Sequence, residues 1–473
     1  MVSFTLEEIK EITGGSVIQG NMHHSFKNIS IDSRSLSPGD LFVALKGNNF
    51  DGHDFVCEAL SKGAFGAMLS KRELCNGENL SDKKIYHKPC IILVKDTLAA
   101  LQRISQYHRE RNRVSLIGVT GSNGKTTSKE MIASILETKF SVLKNEGNYN
   151  NHIGVPLTLL RLEPSHDIAV LEMGMSGLGE IRRLCEIAQP SIGVLTNISG
   201  VHLQFLGSLE RVKEAKGELV DFIDQEGTVI LNSDDPFIMD LKKRVKGRLL
   251  TYGIESYSDI RAKNIRDLGT DGLTFLLMIN DKEIKVHLPL IGNYNVYNAL
   301  SAAAVGSVCG IEIENIKKGL ESFKGLPMRM ELCHLDHDIR IINDSYNANP
   351  SSVKRAIETL SNISKSGHSF LAIGDMLELG DASMDAHKEI GRMIAGRSID
   401  FLIVVGEMAS FIGKEALLNG MEKQNVFFCK DADEAFNILD KNLRNGDILL
   451  VKGSRRMKME RIIEKLKKTR EAY

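Results

Sequence analysis

The sequence lacks an excess of charge of either sign. Its 60 lysine and arginine residues nearly balance its 61 aspartate and glutamate residues, so the formal net charge is -1. A protein that binds nucleic acid or an anionic membrane through its overall field carries a clear positive excess. We therefore expect neither kind of partner, and an anionic substrate would have to be held by local groups.

Closely spaced cysteines and long apolar runs are also missing. Cysteine occurs at seven scattered positions, namely Cys57, Cys75, Cys90, Cys185, Cys309, Cys333 and Cys429. Because the number is odd and no two positions have a C-x-x-C spacing, we expect free thiols rather than a disulfide framework or a structural zinc site. The chain begins without the basic and apolar stretches of a signal peptide, and no run reaches the ~18 apolar residues of a membrane span. We expect a cytoplasmic protein.

The 473 residues predict about three domains, at roughly 100–200 residues per domain. Residues 1–112 have a mixed α/β pattern that ends in a polar helix over 97–111. Residues 113–326 alternate short apolar strands with helical stretches, which predicts a doubly wound parallel sheet, and residues 259–291 add the alternation of antiparallel hairpins. Residues 327–473 contain five strand candidates separated by helices, a Rossmann-like pattern. The expected fold class is α/β.

A glycine-containing loop, Gly121–Thr127, follows the apolar run Leu116–Val119 and precedes a helical pattern. Glycines let a backbone wrap around a phosphate, and a helix N-terminus presents N–H groups to it. Lys125 is expected to reach the β- and γ-phosphates of a nucleotide, and Thr126 to bind Mg²⁺. Val119 stands where the eight-residue G-x-x-x-x-G-K-[ST] pattern has glycine, so the loop is a shortened variant.

Other polar residues follow apolar strands of the same region. Glu172 ends one strand candidate, at the carboxyl edge where parallel sheets bind ligands. Asn150 and Asn151 lie in an amide-rich loop, and His202 follows another apolar run. Alone, each is more often a solvated bystander, and a phosphate loop alone also fits a kinase, a switch GTPase or a motor. Beside such a loop they are candidates for phosphate and metal binding.

Together with Lys216, these positions resemble the central ATPase domain of the Mur ligases. The resemblance implies that Lys216 is carbamylated and helps to hold a second Mg²⁺ ion. The predicted metal ligands are therefore Thr126, Glu172, His202 and the carbamylated Lys216. ATP and two Mg²⁺ ions are the expected cofactors.

The resemblance continues toward the end of the central domain. Asn295 and Asn298 match the family's signature on the adenine side, with Tyr294 where a histidine is usual. Arg329 resembles the hinge arginine that reaches the γ-phosphate, with Met328 where a glycine is common. Both features imply an ATP site completed from distant parts of the chain.

The C-terminal domain resembles one branch of the family. Segments Asp344–Pro350 and Gly374–Gly380 are similar to the branch that adds D-alanyl-D-alanine to UDP-N-acetylmuramoyl-tripeptide. Asp344 matches an aspartate that faces the nucleotide when the domains close. The implied substrate-binding residues of the central and C-terminal domains are Asn150, Asn151, Tyr346, Asn347 and Asn349.

The N-terminal domain, which binds the UDP moiety in this family, also resembles that branch. The carried-over candidates are Ser33, Arg34, Asp51 and His53. Arg34 can pair with an anionic oxygen of the substrate, although an ordinary surface arginine is the competing interpretation.

The resemblance implies an amide-forming ligase. ATP would phosphorylate a carboxylate, the dipeptide amine would attack the acyl phosphate, and closure of the domains would exclude water. The implied catalytic residues are Lys125, His202, Lys216, Arg329 and Asp344. The implied ATP-binding residues are Gly121, Ser122, Asn123, Gly124, Lys125, Thr126, Thr127, Asn295, Asn298, Arg329 and Asp344.

Two alternatives stay open. The first is another ligase of the same superfamily, such as folylpolyglutamate synthase, and the UDP-type N-terminal domain argues against it. The second is a nucleotide-gated binding module that hydrolyses ATP slowly and ligates nothing. The expected partners are the two substrates alone, and we expect a monomer.

Overall fold

A computed structural model of the chain describes residues 3–72, 88–200, 203–335, 338–363 and 367–470. The chain forms two compact units. The first contains Met1–Gly118, Phe140–Gly174 and Glu180–Ser191, and the second contains Val119–Lys139, Met175–Gly179 and Ile192–Tyr473. Within the described ranges, no helix is both long and apolar enough to cross a membrane.

The residues before the phosphate loop form a small parallel sheet with flanking helices. The strands are β1 (Phe4–Thr5), β2 (Ser16–Gln19), β3 (Ser25–Phe26), β4 (Ile29–Ser30), β5 (Leu41–Val43), β6 (Gly66–Leu69) and β7 (Cys90–Leu93). The helices are α1 (Leu6–Thr13), α2 (Val56–Ser61) and α3 (Thr97–Arg111), with a 3-10 turn at Gly52–Phe55. The sheet has the order β2-β7-β6-β5-β4, in which only β2 is antiparallel to its neighbour among the described strands. A separate antiparallel pair joins β1 and β3.

The helix predicted over residues 97–111 is confirmed, and a shorter helix, α1, lies near the start of the region. α1 begins with a capping box, because Thr5 accepts from the N–H of Glu8 and the Glu8 carboxylate accepts from the N–H of Thr5. Its apolar face buries Leu6 and Ile9 against the sheet. α3 spans Thr97–Arg111, as the sequence predicts, and begins at the side-chain cap of Asp96.

The central region contains a long sheet. Its strands are β8 (Ser115–Thr120), β9 (Val142–Lys144), β10 (Ile168–Glu172), β11 (Ile192–Leu195), β12 (Thr228–Asn232), β13 (Arg248–Gly253), β14 (Ile260–Asp267), β15 (Leu273–Ile279) and β16 (Lys282–Leu288). The helices are α4 (Lys125–Leu136), α5 (Gly154–Leu159), α6 (Glu180–Ala188), α7 (Leu203–Leu206), α8 (Leu209–Phe222), α9 (Pro236–Met239), α10 (Tyr294–Val308) and α11 (Ile313–Ser322), with 3-10 turns at Asp240–Arg244 and Gly269–Asp271. The strand order is β16-β15-β14-β13-β12-β11-β8-β10-β9.

The predicted combination of parallel strands and an added hairpin is confirmed. β11 to β14 pair in parallel, and β9 pairs in parallel with β10. β14, β15 and β16 are antiparallel, and the two-residue turn Asn280-Asp281 connects the last two strands. Asn280 has a positive φ of 51°, which is typical of a tight hairpin turn.

The C-terminal region is a second doubly wound sheet. Its strands are β17 (Glu331–Leu335), β18 (Ile339–Asp344), β19 (Ser369–Gly374), β20 (Phe401–Val405), β21 (Val426–Cys429) and β22 (Ile448–Lys452). The helices are α12 (Pro350–Asn362), α13 (Ser383–Ala395), α14 (Ala409–Leu418), α15 (Ala432–Asn442) and α16 (Glu460–Arg470), with 3-10 turns at Gly380–Ala382, Lys423–Asn425 and Arg455–Met457. The order is β17-β18-β22-β19-β20-β21, and among these described strands only β17 is antiparallel.

Both faces of this sheet are covered. On β19, Leu371 and Ile373 belong to one buried cluster, whereas Phe370 and Ala372 belong to another. Successive side chains of a strand point to opposite faces, so a strand buried on both sides becomes a continuous apolar run. The five strands expected from such runs are β18 to β22, and the α/β fold class is confirmed.

Candidate active site

The phosphate loop, Gly121–Thr127, lies between β8 and α4. Gly121 and Gly124 have positive φ values of 152° and 79°. A Cβ atom on Gly121 would lie 1.9 Å from Oγ1 of Thr196, and one on Gly124 would lie 2.4 Å from Oδ1 of Asn298. Because α4 begins after a glycine, no side chain caps it, and the positive end of its dipole can meet an anion.

A short segment after β11, Thr196–Ser199, holds the loop in place; we call it the brace segment. Ser122 N–H donates to the Asn197 carbonyl at 2.8 Å, and Asn123 N–H donates to Asn197 Oδ1 at 3.0 Å. Thr196 Oγ1 and Asn197 Nδ2 both donate to the Asn123 carbonyl, at 2.6 and 2.8 Å. These residues were not among the site residues predicted from the sequence. A run of amide and hydroxyl side chains directly after an apolar strand was the available signal.

Two lysines meet at one carbonyl of the phosphate loop. Lys125 Nζ and Lys216 Nζ each donate to the Gly121 carbonyl at 2.9 Å. Lys216 is only 2% exposed, although it comes from α8 and is distant in sequence. The structure therefore brings Lys216 to the loop, as its assignment requires. Its carbamylation stays a prediction, which the closeness of two cations supports because like charges repel strongly away from water.

In the first unit, Glu172 lies buried at the end of β10, with 3% of its surface exposed. Asn145 exchanges hydrogen bonds with the backbone of Glu172, and Asn150 Nδ2 donates to Glu172 Oε1 at 2.8 Å. Glu172 Oε2 is buried and has no hydrogen-bond partner among the described residues. A buried carboxylate oxygen without a partner destabilises the folded protein, and a bound cation would remove this free-energy cost.

Two other residues were predicted for metal or substrate binding near this strand, and the structure describes one of them. Asn151 Oδ1 accepts from the N–H groups of Ile153 and Gly154, so this oxygen is engaged within the protein just before the short helix α5. His202 lies outside the described residues. No group of three His, Cys, Asp or Glu side chains that could hold a metal occurs in the described part of the chain. The metal set that also uses Thr126 and Lys216 stays a prediction.

Asn295 and Asn298 link α10 to the helix that follows the phosphate loop. Asn298 Nδ2 donates to Asn295 Oδ1 at 2.9 Å, and Asn298 Oδ1 accepts from Ser128 Oγ at 3.3 Å. Asn295 Nδ2 donates to the Ile291 carbonyl at 2.8 Å. Both amides are buried, and Asn298 packs on Gly124. These contacts position the phosphate loop, and direct binding of adenine by either residue stays a prediction.

A tight turn precedes Arg329. Arg329 N–H donates to the Leu326 carbonyl at 3.2 Å, and Met328 has a φ of 59°. A positive φ at the third position of a turn is the conformation that glycine adopts without strain. Here Glu331 accepts from Met328 N–H at 2.9 Å, and Tyr346 N–H donates to the Met328 carbonyl at 3.1 Å, so neighbours stabilise the turn.

Arg329 and Asp344 each have a partner within the protein. The Arg329 guanidinium lies 4.0 Å from the centre of the Tyr346 ring. Asp344 accepts from Lys452 Nζ at 2.5 Å and from Met330 N–H at 3.2 Å. Lys452 is 2% exposed and ends β22, so it is a buried cation that the sequence analysis did not assign to the site.

The predicted substrate residues of the C-terminal region differ in exposure. Asn347 is exposed, whereas Asn349 is partly buried and caps α12. Asn349 Nδ2 also donates to Asn123 Oδ1 at 2.8 Å, which joins the start of α12 to the phosphate loop. These contacts give Asn349 a positioning role. Binding of substrate by Tyr346, Asn347 and Asn349 stays a prediction.

In the N-terminal region, Arg34 forms a bidentate pair with Asp32, at 2.9 and 2.7 Å. The guanidinium hydrogen bond lowers the pKa of Asp32 to about 2. The Arg34 side chain is 83% exposed, so a stronger anion can replace Asp32. Ser33 is buried, and its carbonyl accepts from Lys62 Nζ at 3.1 Å.

Asp51 and His53 form one cluster with residues that the sequence analysis did not assign. His53 Nε2 accepts from Ser70 N–H at 3.0 Å, so the ring is neutral and Nδ1–H donates to Asp51 at 2.6 Å. Lys71 Nζ donates to the other Asp51 oxygen at 2.6 Å, and this hydrogen bond holds the pKa of Asp51 well below its usual range. The structure thus brings Asp51 and His53 together, while Arg34 pairs with Asp32.

Three family models match the chain. The Mur ligase family catalytic domain matches residues 25–109, the Mur ligase middle domain residues 119–306, and the Mur ligase glutamate ligase domain residues 328–455. UDP-N-acetylmuramoyl-tripeptide--D-alanyl-D-alanine ligase of Bacillus subtilis is 38% identical over 467 residues, which cover 98% of this chain and 99% of the relative. The enzyme of that name from Escherichia coli is 34% identical over 472 residues, with 98% and 99% covered.

Solved structures have the same architecture. MurF from Acinetobacter baumannii superimposes with a TM-score of 0.88 at 31% identity, covering 99% of each chain. MurF ligase from Thermotoga maritima in complex with ADP superimposes with a TM-score of 0.81 at 29% identity, covering 94% of this chain and 98% of that one. Both likenesses extend over all three matched domains.

Proposed function

The chain belongs to the Mur ligase family, and we propose that it uses ATP to join D-alanyl-D-alanine to UDP-N-acetylmuramoyl-tripeptide. The product is the UDP-muramoyl-pentapeptide precursor of peptidoglycan. The observation that carries the proposal is the match to relatives of that name over 98% of the chain. The phosphate loop with its two lysines supports the use of ATP, as does the related structure with ADP.

The chemistry requires activation, because a carboxylate oxygen is a poor leaving group at neutral pH. In the first step a carboxylate oxygen of the tripeptide bonds to the γ-phosphorus of ATP, and ADP leaves. In the second step the dipeptide amine attacks the acyl carbon, loses a proton, and phosphate leaves. Lys125 and the N-terminus of α4 stabilise the charge on the transferred phosphoryl group. The catalytic set of the proposal also contains His202, Lys216, Arg329 and Asp344.

The residues present fit magnesium. Glu172 supplies a buried carboxylate oxygen that lacks a partner among the described residues, and Thr126 supplies a hydroxyl, both of the hard oxygen type that Mg²⁺ prefers. We propose that these two hold one ion and that His202 and carbamylated Lys216 hold a second. When bound, the ions offset the negative charge of the phosphate oxygens.

We propose that the hinge turn allows the C-terminal domain, residues 327–473, to close on the central domain, residues 113–326. Arg329 would then exchange the Tyr346 ring for the γ-phosphate, since a phosphate anion attracts a guanidinium more strongly than a ring face does. Closure also excludes water from the acyl phosphate, which otherwise hydrolyses. The contact between Asn349 and Asn123 supports an approach of the two parts at the phosphate loop.

For the other substrate, we propose that residues 1–112 bind the UDP moiety through Ser33, Arg34, Asp51 and His53. The exposed Arg34, held by a single carboxylate, supports recognition of an anionic oxygen. We also propose that the protein acts as a monomer in the cytoplasm.

The test is a competition assay with product mass as the readout. The enzyme receives ATP with D-alanyl-D-alanine, D-glutamate, L-lysine or meso-diaminopimelate, each with its matching UDP-muramoyl acceptor. We expect the dipeptide to be joined fastest, with one ADP and one phosphate per product. If a single amino acid is joined faster, the assignment to this branch is wrong. If ATP is hydrolysed without product, the nucleotide-gated alternative is correct.

A further inference from the structure

Arg355, on α12, is a cation without a hydrogen-bonded or ion-paired partner in the part of the chain that the structure describes. Its residue is partly buried, and its guanidinium makes no hydrogen bond or ion pair within the described residues. Burial lowers the pKa of Arg355, while Glu358 and Asp235 attract it from beyond ion-pair distance. Both carboxylates have other partners, since Glu358 lies 3.7 Å from Arg397 and Asp235 accepts from Ile198 N–H at 2.7 Å.

An aromatic neighbour of this cation is Tyr294, at the start of α10. The Arg355 guanidinium lies 5.8 Å from the centre of the Tyr294 ring. Tyr294 is itself partly buried against the C-terminal hydrophobic cluster, and burial raises the pKa of its phenol. The next tyrosine of the helix, Tyr297, donates to Asp234 at 3.0 Å. The guanidinium of Arg355 on α12 and the ring of Tyr294 on α10 thus lie close together.

Both helices are anchored at the phosphate loop. α12 begins at Asn349, which binds Asn123, and α10 carries Asn298, which packs on Gly124. With a rise of about 1.5 Å per residue, Arg355 lies about 9 Å along α12 from its anchor. Tyr294 lies about 6 Å along α10 from Asn298 by the same rise. These separations suit the ribose and base of a nucleotide whose phosphates lie at the loop.

We propose that Arg355 binds the nucleoside part of ATP, with its guanidinium plane on the purine ring. The inference rests on the proposed binding of ATP phosphates by Gly121–Thr127. A guanidinium is planar and weakly hydrated, so it stacks on aromatic faces and keeps its N–H groups for oxygen acceptors such as ribose hydroxyls. A partly buried cation that lacks a partner is costly, and the nucleoside supplies the missing contacts. Tyr294 positions the guanidinium from the protein side.

The experiment compares Arg355→Ala and Arg355→Lys with the wild-type enzyme, using ATP and inorganic tripolyphosphate as probes. Lys354→Ala is the matched control, because Lys354 lies on the same helix and forms a partly exposed ion pair with Glu389 on α13. We expect Arg355→Ala to raise KM for ATP about tenfold while kcat changes by less than about twofold. The affinity for tripolyphosphate should stay the same, Arg355→Lys should be intermediate, and Lys354→Ala should resemble the wild type.

Two results would overturn the inference. One is an unchanged KM for ATP in both Arg355 variants. The other is an equal loss of affinity for ATP and tripolyphosphate, since that pattern shows an effect through the fold. A different result would refute the assignment of the phosphate loop. In that case the wild-type enzyme binds ATP but not tripolyphosphate, and Lys125→Ala binds ATP as tightly as the wild type. The two failures are therefore distinguishable.

Discussion

The phosphate loop and the hinge segment, residues 326–346, differ in how their polar groups are engaged. In the loop, Ser122 and Asn123 are fixed through backbone and side chain by the brace segment. In the hinge segment, the functional groups of Arg329 and Asp344 contact a ring face and a lysine, partners that a charged ligand can replace. The loop is therefore held by several hydrogen bonds, whereas we expect the hinge segment to exchange its contacts when a ligand binds.

We expect the strongest loss of activity from a substitution in the phosphate loop. Lys125→Ala should reduce ligation roughly 100- to 1000-fold, because one positioned charge on the transferred phosphoryl group is lost. The fold should survive, since Lys125 is only partly buried and contacts loop carbonyls. Product formation and circular dichroism are measured together. Near-normal turnover in the folded variant would show that the loop does not bind the reacting phosphates.

The next prediction concerns Lys216, the second lysine at the Gly121 carbonyl. Lys216→Ala should lose about 100-fold in activity, because the proposed carbamate ligand of the metal could not form. Lys216→Glu should recover part of that loss, since it supplies a carboxylate of the same charge. Intact mass of the wild-type protein, kept in bicarbonate, checks the modification directly. Full activity in Lys216→Ala would identify the lysine as a bystander of the loop.

A smaller effect is expected at the hinge turn. The free energy of unfolding of Met328→Gly should stay within about 1 kcal/mol of the wild-type value. Glycine removes the backbone strain of the positive φ, but it also gives the unfolded chain more conformational freedom, and the two effects offset each other. Met328→Val should destabilise by about 1–3 kcal/mol, since a β-branched residue resists this conformation. Urea unfolding of both variants is the measurement. Equal stability of the glycine and valine variants would contradict the strained turn.

The smallest effect concerns a second exchangeable pair, Asp32 and Arg34. Because the folded pKa of Asp32 is lowered to about 2, its contribution to stability is present above the unfolded value of about 3.9 and is lost as pH falls through about 2. Arg34→Gln should return the pKa toward the ordinary value, which carboxyl NMR titration can follow. A pKa that stays near 2 in this variant would assign the shift to another group. A bound anionic substrate should have the same effect as the mutation, because it draws Arg34 away.

The sequence predicted those strands whose burial is visible as an apolar run. β10 and β19 are buried on both faces and were identified from Ile168–Leu171 and Phe370–Ile373. β17 was not, because this edge strand is mostly half-exposed and its residues alternate without a clear apolar face. Edge strands bury one side at most, so their pattern is weak.

The same distinction applies to the site. Lys125 and Thr126 follow from a local motif, since neighbours in sequence form the loop. Lys216 could be assigned only by resemblance, because its approach to Gly121 depends on the packing of α8. Asn197 and Lys452 were not assigned at all, since their partners Asn123 and Asp344 are distant in sequence and only the fold brings them together.

The central claim, that ATP activates a substrate carboxylate before the amine attacks, can be tested with oxygen isotopes. UDP-muramoyl-tripeptide is labelled with ¹⁸O at its carboxylates, and the phosphate released during ligation is analysed by mass. The account predicts one ¹⁸O atom in each phosphate, because the carboxylate oxygen that bonds to phosphorus leaves with it. Phosphate without the label, formed at the rate of product, would contradict an acyl phosphate and with it the proposed mechanism.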